Sequence, residues 1–394
     1  IDQMKKKAYT SDPIPSQLTH EKYRYGSRDA IYYSPDERFK DQRWDIKTFM
    51  NWVDSDKPQT KMKFILQNDY DISKISESYL DNVYYPTNKI RVPVNKKNVL
   101  ETGLVKEKDS ALIVDYIDID LPKSAIGKNR ILMLDILANN DWKRPIYFSG
   151  GSFDTAEYLW MKDYLQMDGL AYKLVPIKTR NASAFDMGRI DTDLMYNIVK
   201  KWDWGNSNSE DIYHDPQTRV QGISFRSNLG RLTEKLLEEN KIEEAKDIIN
   251  IAMTNMPLDK YGYYAFVEPF LDGYYKVGEN AKARELYSRI KEKYKENLNY
   301  YSSLPLDEQY GNFENIFGDL EAFDRIVSII EDNNDKEMLE KETLILNEYM
   351  DKFRHFIEAR MLPDRNATPE RNDPDMPSEM DTILMDSTPV DSAN

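Results

Sequence analysis

The chain has 394 residues, with 54 Lys and Arg against 69 Asp and Glu and a formal net charge of −15. That length predicts two or three domains whose cores fold without staples, and the negative field repels phosphate backbones and argues against a nucleic-acid partner. The lack of cysteine excludes disulfides, thiolate metal sites and a cysteine nucleophile, and no run reaches the roughly 18 apolar residues that a bilayer span requires.

From Ile1 to His20 the sequence is polar and carries Pro13 and Pro15, and Tyr23 to Tyr33 mixes aromatic and charged residues without a period. Both stretches are expected to be extended or loop structure. Trp44, Phe49, Trp52 and Val53 recur at helical spacing, which predicts a short amphipathic helix with its aromatics on a core. Lys61–Leu66 and Ile90–Val94 are expected as strands, the second at a sheet edge because Pro93 lacks the N–H of a central ladder.

Ala111–Leu121 carries the strongest strand signal: Ile117, Ile119 and Leu121 alternate with Asp118 and Asp120 after apolar Leu112–Val114. Asp115, Asp118 and Asp120 invite a hard-cation reading. With no glycine-turned loop or nearby glutamate, a solvated strand face is the preferred one. Asn129–Ala138 is expected as an apolar helix.

The stretch from Ala138 to Ile177 is the one around which the chain is organised. Pro145–Phe148 predicts a strand, Asp154–Met167 an amphipathic helix and the run ending at Ile177 a further strand. Alternating strands and helices from Ala111 to Ile177 imply crossovers and a largely parallel sheet, so residues 1–205 are expected as an α/β domain. Ser149-Gly150-Gly151-Ser152 would offer backbone amides to an anion, but no Lys follows, and a turn capped by Ser152 or Asp154 is preferred. Trp142, Arg144 and Tyr147 combine aromatic faces with a cation and, with Tyr164 and Tyr172, form the candidate binding set. They could stack on a sugar, although anchoring the turn onto the sheet is the preferred role. No cofactor, metal or catalytic residue is implied. His20, His214 and His355 are too far apart to suggest a catalytic group.

Asn206-Ser207-Asn208-Ser209 reads as a linker, assigned to 206–222. From 223 to 362 the expected structure is an all-α, tetratricopeptide-like solenoid. Leu229, Leu232 and Leu236 form one stripe and Ala245, Ile249 and Ala252 the next, with Thr233 where that repeat usually has glycine. Phe266, Phe270 and Tyr274, then Tyr287 and Ile290, repeat the pattern, and Phe313–Ile330 and Met338–Ile357 are expected to close the stack. Residues 363–394, rich in proline and acids, are expected to be a disordered tail.

The segment from Ala138-Asn139-Asn140-Asp141-Trp142 through Arg144-Pro145-Ile146-Tyr147-Phe148, followed by Asp163–Ile177, resembles the protein O-mannosyltransferase-like membrane family of Gram-negative bacteria. Ile1–Lys5, the Trp202-Asp203-Trp204-Gly205 turn and the helical pairs after Arg226 resemble that family as well. The resemblance implies an upstream multi-span domain of glycosyltransferase-C type using a polyprenyl-phosphate sugar. The present chain is then its periplasmic portion, tethered to the inner membrane by segments outside this sequence and inactive by itself. A chain opening on Ile1 without an initiator Met fits that expectation. The implied partners are the membrane domain and an acceptor protein or glycan; an interaction scaffold unrelated to sugar transfer is the alternative. Asp381-Thr382-Ile383, Asp386-Ser387-Thr388 and Asp391-Ser392-Ala393 resemble acceptor triplets of a periplasmic O-glycosylation system, which makes Thr382, Ser387 and Ser392 candidate modification sites.

Overall fold

The computed structural model describes residues 12–24, 28–67, 70–149, 159–179 and 187–356. The chain divides into two compact units, Ile1–Leu286 and Tyr287–Asn394. The expected anion-binding turn at 150–152 and the candidate modification sites Thr382, Ser387 and Ser392 lie outside the described residues.

The first unit begins as a mixed α/β region with small sheets. Its described strands are β1 (Ala30–Tyr33), β2 (Trp44–Asp45), β3 (Tyr84–Tyr85), β4 (Lys89–Pro93), β5 (Tyr116–Asp120), β6 (Ala125–Gly127), β7 (Tyr147–Ser149), β8 (Leu165–Asp168) and β9 (Ala171–Leu174). They form three sheets ordered β3-β1-β6, β2-β4-β5 and β7-β9-β8. Among the described strand pairs, β1–β3 and β2–β4 are parallel and the others antiparallel. The expected largely parallel sheet is therefore corrected: β8 and β9 are joined by a tight turn at Gly169 (φ +71°), which allows only antiparallel pairing.

Three local expectations change with it. Lys61 makes a single bridge to Val83, after which Met62–Leu66 is a short helix, the ambiguity inherent in a brief apolar run. Leu159–Tyr164 is a 3-10 turn and Leu165–Asp168 a strand where a helix was expected. Leu112 ends a 3-10 helix and is exposed, so the strand starts only at Tyr116. From there the alternation holds, with Ile117 and Ile119 buried and Asp118 and Asp120 outward. Pro93 sits at the end of the central strand β4, not at an edge. It is tolerated because β2 pairs only with Ile90 and Arg91 and never reaches it.

The helices Ile46–Asp54 and Lys128–Asn140 cover the sheets and fill the core with Phe49, Met50, Val53, Ile131 and Leu134. Asp45 caps the first by accepting from Lys47 N at 2.8 Å. The buried carboxylate of Asp135 in the second accepts from Gln17 N (2.8 Å), Leu18 N (3.0 Å), the Tyr23 hydroxyl (3.0 Å) and Asn139 Nδ2 (2.8 Å). Four donors offset its desolvation and pin the otherwise patternless segment 17–23 to the core. Burial, then the Asp135 charge, pushes the Tyr23 hydroxyl well above its ordinary range.

Still within the first unit, the helix Pro216–Glu238 starts inside the expected linker. Pro216 occupies its first turn and Asp215 accepts from Thr218 N at 2.7 Å. It packs on Ile242–Asn255 through Leu229, Leu232, Leu236, Ala245, Ile249 and Ala252, the stripes read from the sequence. The third helix, Glu268–Lys276, approaches closely at Gly273, where an added Cβ would lie 2.8 Å from Ile249 Cδ1. Arg226, fully buried, donates to the Gly262 carbonyl and, at 2.8 Å, to Met256 O at the end of the Ile242–Asn255 helix. The carbonyl end of a helix favours a cation, while burial lowers the guanidinium to about 10.

Helix Asn280–Ser303 carries the division into units. In the second unit, Phe313–Asp332 and Lys336–Lys352 form an antiparallel pair turned at Asn334 (φ +55°). Glu342 is buried between Lys291 Nζ at 3.0 Å and the Tyr287 hydroxyl at 3.1 Å.

Candidate functional site

The five sequence-predicted binding residues do not share one surface. Asp141 and Trp142 follow the Lys128–Asn140 helix with φ of +47° and +59°, and this left-handed pair turns the indole inward. Trp142 is 6 % exposed and donates from Nε1 to Pro93 O at 2.8 Å. It lines a cavity of about 10 Å³ with Arg144, Leu137 and Asn140, room for about one water. Arg144 donates to Asp12 O (2.9 Å) and Pro13 O (3.2 Å). Tyr164 is buried in the core cluster.

Tyr147 and Tyr172 stand on opposite faces of the β7-β9-β8 sheet, because Tyr147 pairs with Lys173 and Phe148 with Tyr172. Tyr172 packs on the core. The other face gathers Tyr147, Gln166, Asp168 and Lys173. Lys173 Nζ lies 2.9 Å from the Asp168 carboxylate in a pair closed to solvent, Gln166 Nε2 donates to the other carboxylate oxygen at 2.8 Å, and the half-exposed Tyr147 hydroxyl lies 3.3 Å away. Burial, then the Asp168 charge, holds the Tyr147 hydroxyl above its usual range, so it remains a donor at neutral pH. Ammonium, amide and phenol all point at one carboxylate. That satisfies the cluster internally and leaves no activated nucleophile or base.

The aspartates of β5 are likewise engaged. Asp118 takes a two-pronged bond from Arg91 (2.7 and 2.9 Å), which holds its carboxyl below the usual range, while Arg43 binds Asp120 at 2.9 Å and Lys96 pairs with Asp115 at 2.8 Å. Among the described residues, no three His, Cys, Asp or Glu side chains gather as metal ligands. His214 contacts Ser207 O at 2.8 Å and stacks at a tilt on Tyr261, and His355 lies against Phe356.

Two arrangements escaped the sequence reading. One is an ion-pair belt around the start of the Thr192–Val199 helix. Lys106 pairs with Asp191 at 2.9 Å, Lys108 with Asp193 at 2.8 Å, and Lys241 with Asp193 and Glu239. The belt ties the sheet region to the first helical pair. The other arrangement lies at the far end of the same helix, where Trp202, Trp204 and Phe225 meet with ring centroids 5.3–5.6 Å apart, all steeply tilted and half-buried. The Trp202 indole covers the Gly169 turn of the β8–β9 hairpin, which Asn228 Nδ2 also grips through Gly169 O at 2.9 Å. Two tryptophans spaced by one residue before a glycine were the available signal.

Residues 1–194 match the family model for TMEM260-associated domain 2. No curated protein and no solved structure matches the chain. Among the described residues no helix is long and apolar enough to cross a membrane.

Proposed function

We propose that this chain is the accessory portion of a membrane-bound, glycosyltransferase-like protein, periplasmic and tethered by segments outside this sequence, where it holds an acceptor protein or glycan without catalysing transfer. The observation that carries this reading is the match of residues 1–194 to a domain described as associated with TMEM260. It agrees with the resemblance of the Ala138–Ile177 stretch to the protein O-mannosyltransferase-like family. The Asp168 carboxylate is held by Lys173 and Gln166, and the β5 aspartates by Arg91, Arg43 and Lys96. The helical pair Pro216–Glu238 and Ile242–Asn255 is read as tetratricopeptide-like, with Thr233 directed at Gly273 of the next helix.

The purified chain is expected neither to hydrolyse glycosides nor to transfer sugar from a polyprenyl-phosphate donor, and to bind the membrane domain when the two are supplied separately. Turnover abolished by one carboxylate substitution would overturn this. The interaction-scaffold reading is favoured by a specific feature of the second unit, the exposed side chains of Tyr300, Leu306 and Tyr310.

A further inference from the structure

The tryptophans of this protein differ in what their indole N–H groups do. Trp52 donates to Tyr84 O at 2.6 Å and Trp142 to Pro93 O at 2.8 Å. Trp202 and Trp204 have no acceptor among the described residues, and both side chains are half-buried at the surface. On the same turn, among the described residues, the exposed Asp203 carboxylate accepts only from Gly205 N, at 2.9 Å, and the exposed Lys201 ammonium makes no ion pair. Here one cation, one anion and two indole N–H groups lie beside three partly exposed aromatic rings, the third brought in by the Pro216–Glu238 helix.

The cup is rigid. Trp202 rests on Gly169, Phe225 projects from the long Pro216–Glu238 helix, and the Thr192–Val199 helix that leads into the turn is pinned at its start by the ion-pair belt. A pre-ordered aromatic surface loses little side-chain freedom on binding. Aromatic faces are negative and attract the weakly positive C–H groups on the flat side of a pyranose ring. Donors and acceptors in roughly equal number beside the rings suit the hydroxyls around its edge, and the balanced charge of Lys201 and Asp203 gives no preference for an ionic ligand.

We propose that Trp202, Trp204 and Phe225, flanked by Asp203 and Lys201, form a stacking site for a neutral saccharide. The proposal rests on the reading above that the chain binds rather than catalyses, and it moves the sugar-binding role away from Trp142 and Tyr147, beyond the residues that match the family model.

The test is a titration of the full chain, labelled at its indole nitrogens, with soluble oligosaccharides of glucose, mannose, galactose and N-acetylglucosamine at millimolar concentration, followed by nuclear magnetic resonance. At least one sugar should shift the Trp202 and Trp204 N–H signals while those of Trp52 and Trp142 stay fixed. Trp204→Ala should weaken that binding by about tenfold or more, with Trp204→Phe intermediate, and unchanged signals of Trp52 and Trp142 will show that each variant is folded. Three results would overturn the site. If a sugar shifts the Trp142 signal and neither Trp202 nor Trp204, glycan binding stands and this location falls. If a proline-rich peptide shifts Trp202 and Trp204 while none of the sugars does, the corner is a peptide site. If none of these ligands moves either indole, the stacking role falls, and binding of the membrane domain measured separately decides the accessory reading.

Discussion

The Trp142 turn and the Trp202–Trp204 turn are built from similar parts, each a short chain reversal just after a helix, and they end in opposite states. In the first, non-glycine residues hold the left-handed conformation, a backbone cost of roughly 1–3 kcal/mol each, and the indole is buried and bonded to Pro93 O. In the second, Gly205 takes the left-handed position at φ +53° and the two indoles remain half-covered, with no acceptor among the described residues. Strain is tolerated where packing over-determines the geometry; the turn without strain is the one with chemistry left over. An aromatic residue in a turn is therefore not itself a sign of binding. What its N–H does is the informative fact.

The largest expected effect breaks the buried side of this contrast. Trp142→Ala empties a core position and leaves Pro93 O without its donor, which should cost about 3–5 kcal/mol. Equilibrium denaturation monitored by circular dichroism would read this as a large fall in midpoint. If the midpoint barely moves, Trp142 is not an anchor and its original candidacy as a ligand platform returns.

That distinction could not be read from the sequence. The acceptor for Trp142 comes from a residue 49 positions away, and no local pattern reveals whether such a carbonyl will be in place. The same limit hid the sheet pairing and the belt joining Lys106 and Lys108 to Asp191 and Asp193. Features set by periodic burial were legible: the outward Asp118 and Asp120, and the stripes Leu229-Leu232-Leu236 and Ala245-Ile249-Ala252. Short runs were not. In 165–168 the alternation of a strand is masked because Gln166 is buried along with Leu165 and Met167, its amide satisfied by Asp168. The five-residue proposed set scattered for a related reason, since neighbours along a strand point to opposite faces.

Next in size is Gly169→Ala, which tests whether the open corner depends on the hairpin beneath it. A Cβ there would sit 3.1 Å from Ile198 Cγ2 and 3.5 Å from Trp202 Cζ2, on a backbone at φ +71°. The expected loss is about 1–2 kcal/mol, together with a shifted Trp202 indole signal. A stability loss with the Trp202 signal in place would show that the cup is held by Phe225 and the helices alone.

Trp204→Ala should cost less, about 1 kcal/mol, because it removes a half-exposed ring and two tilted aromatic contacts without leaving a protein acceptor unpaired. Side by side, the alanine variants of Trp142 and Trp204 separate an anchor from a platform. Comparable losses would mean that both are anchors.

The smallest expected effect concerns the belt that fixes the helix leading to the open turn. Hydrogen bonds from Lys108 and then Lys241 hold the Asp193 carboxyl well below the usual carboxylate range. A depressed folded pKa means that the ionised form is favoured by folding, so this contribution is present above the unfolded pKa of about 3.9 and is lost as pH falls toward the folded value. Asp193 is about half exposed, so solvent screening keeps the contribution small, on the order of 0.5–1 kcal/mol. Asp193→Asn should therefore lower the midpoint slightly at pH 7 in dilute buffer, and the gap to the parent protein should close on acidification below about pH 4 and in molar salt. A gap that persists in molar salt would assign the loss to packing at the helix start. A gap that closes while the Trp202 signal stays fixed would show that the open corner holds its geometry without the belt, leaving Gly169 and Phe225 as its supports.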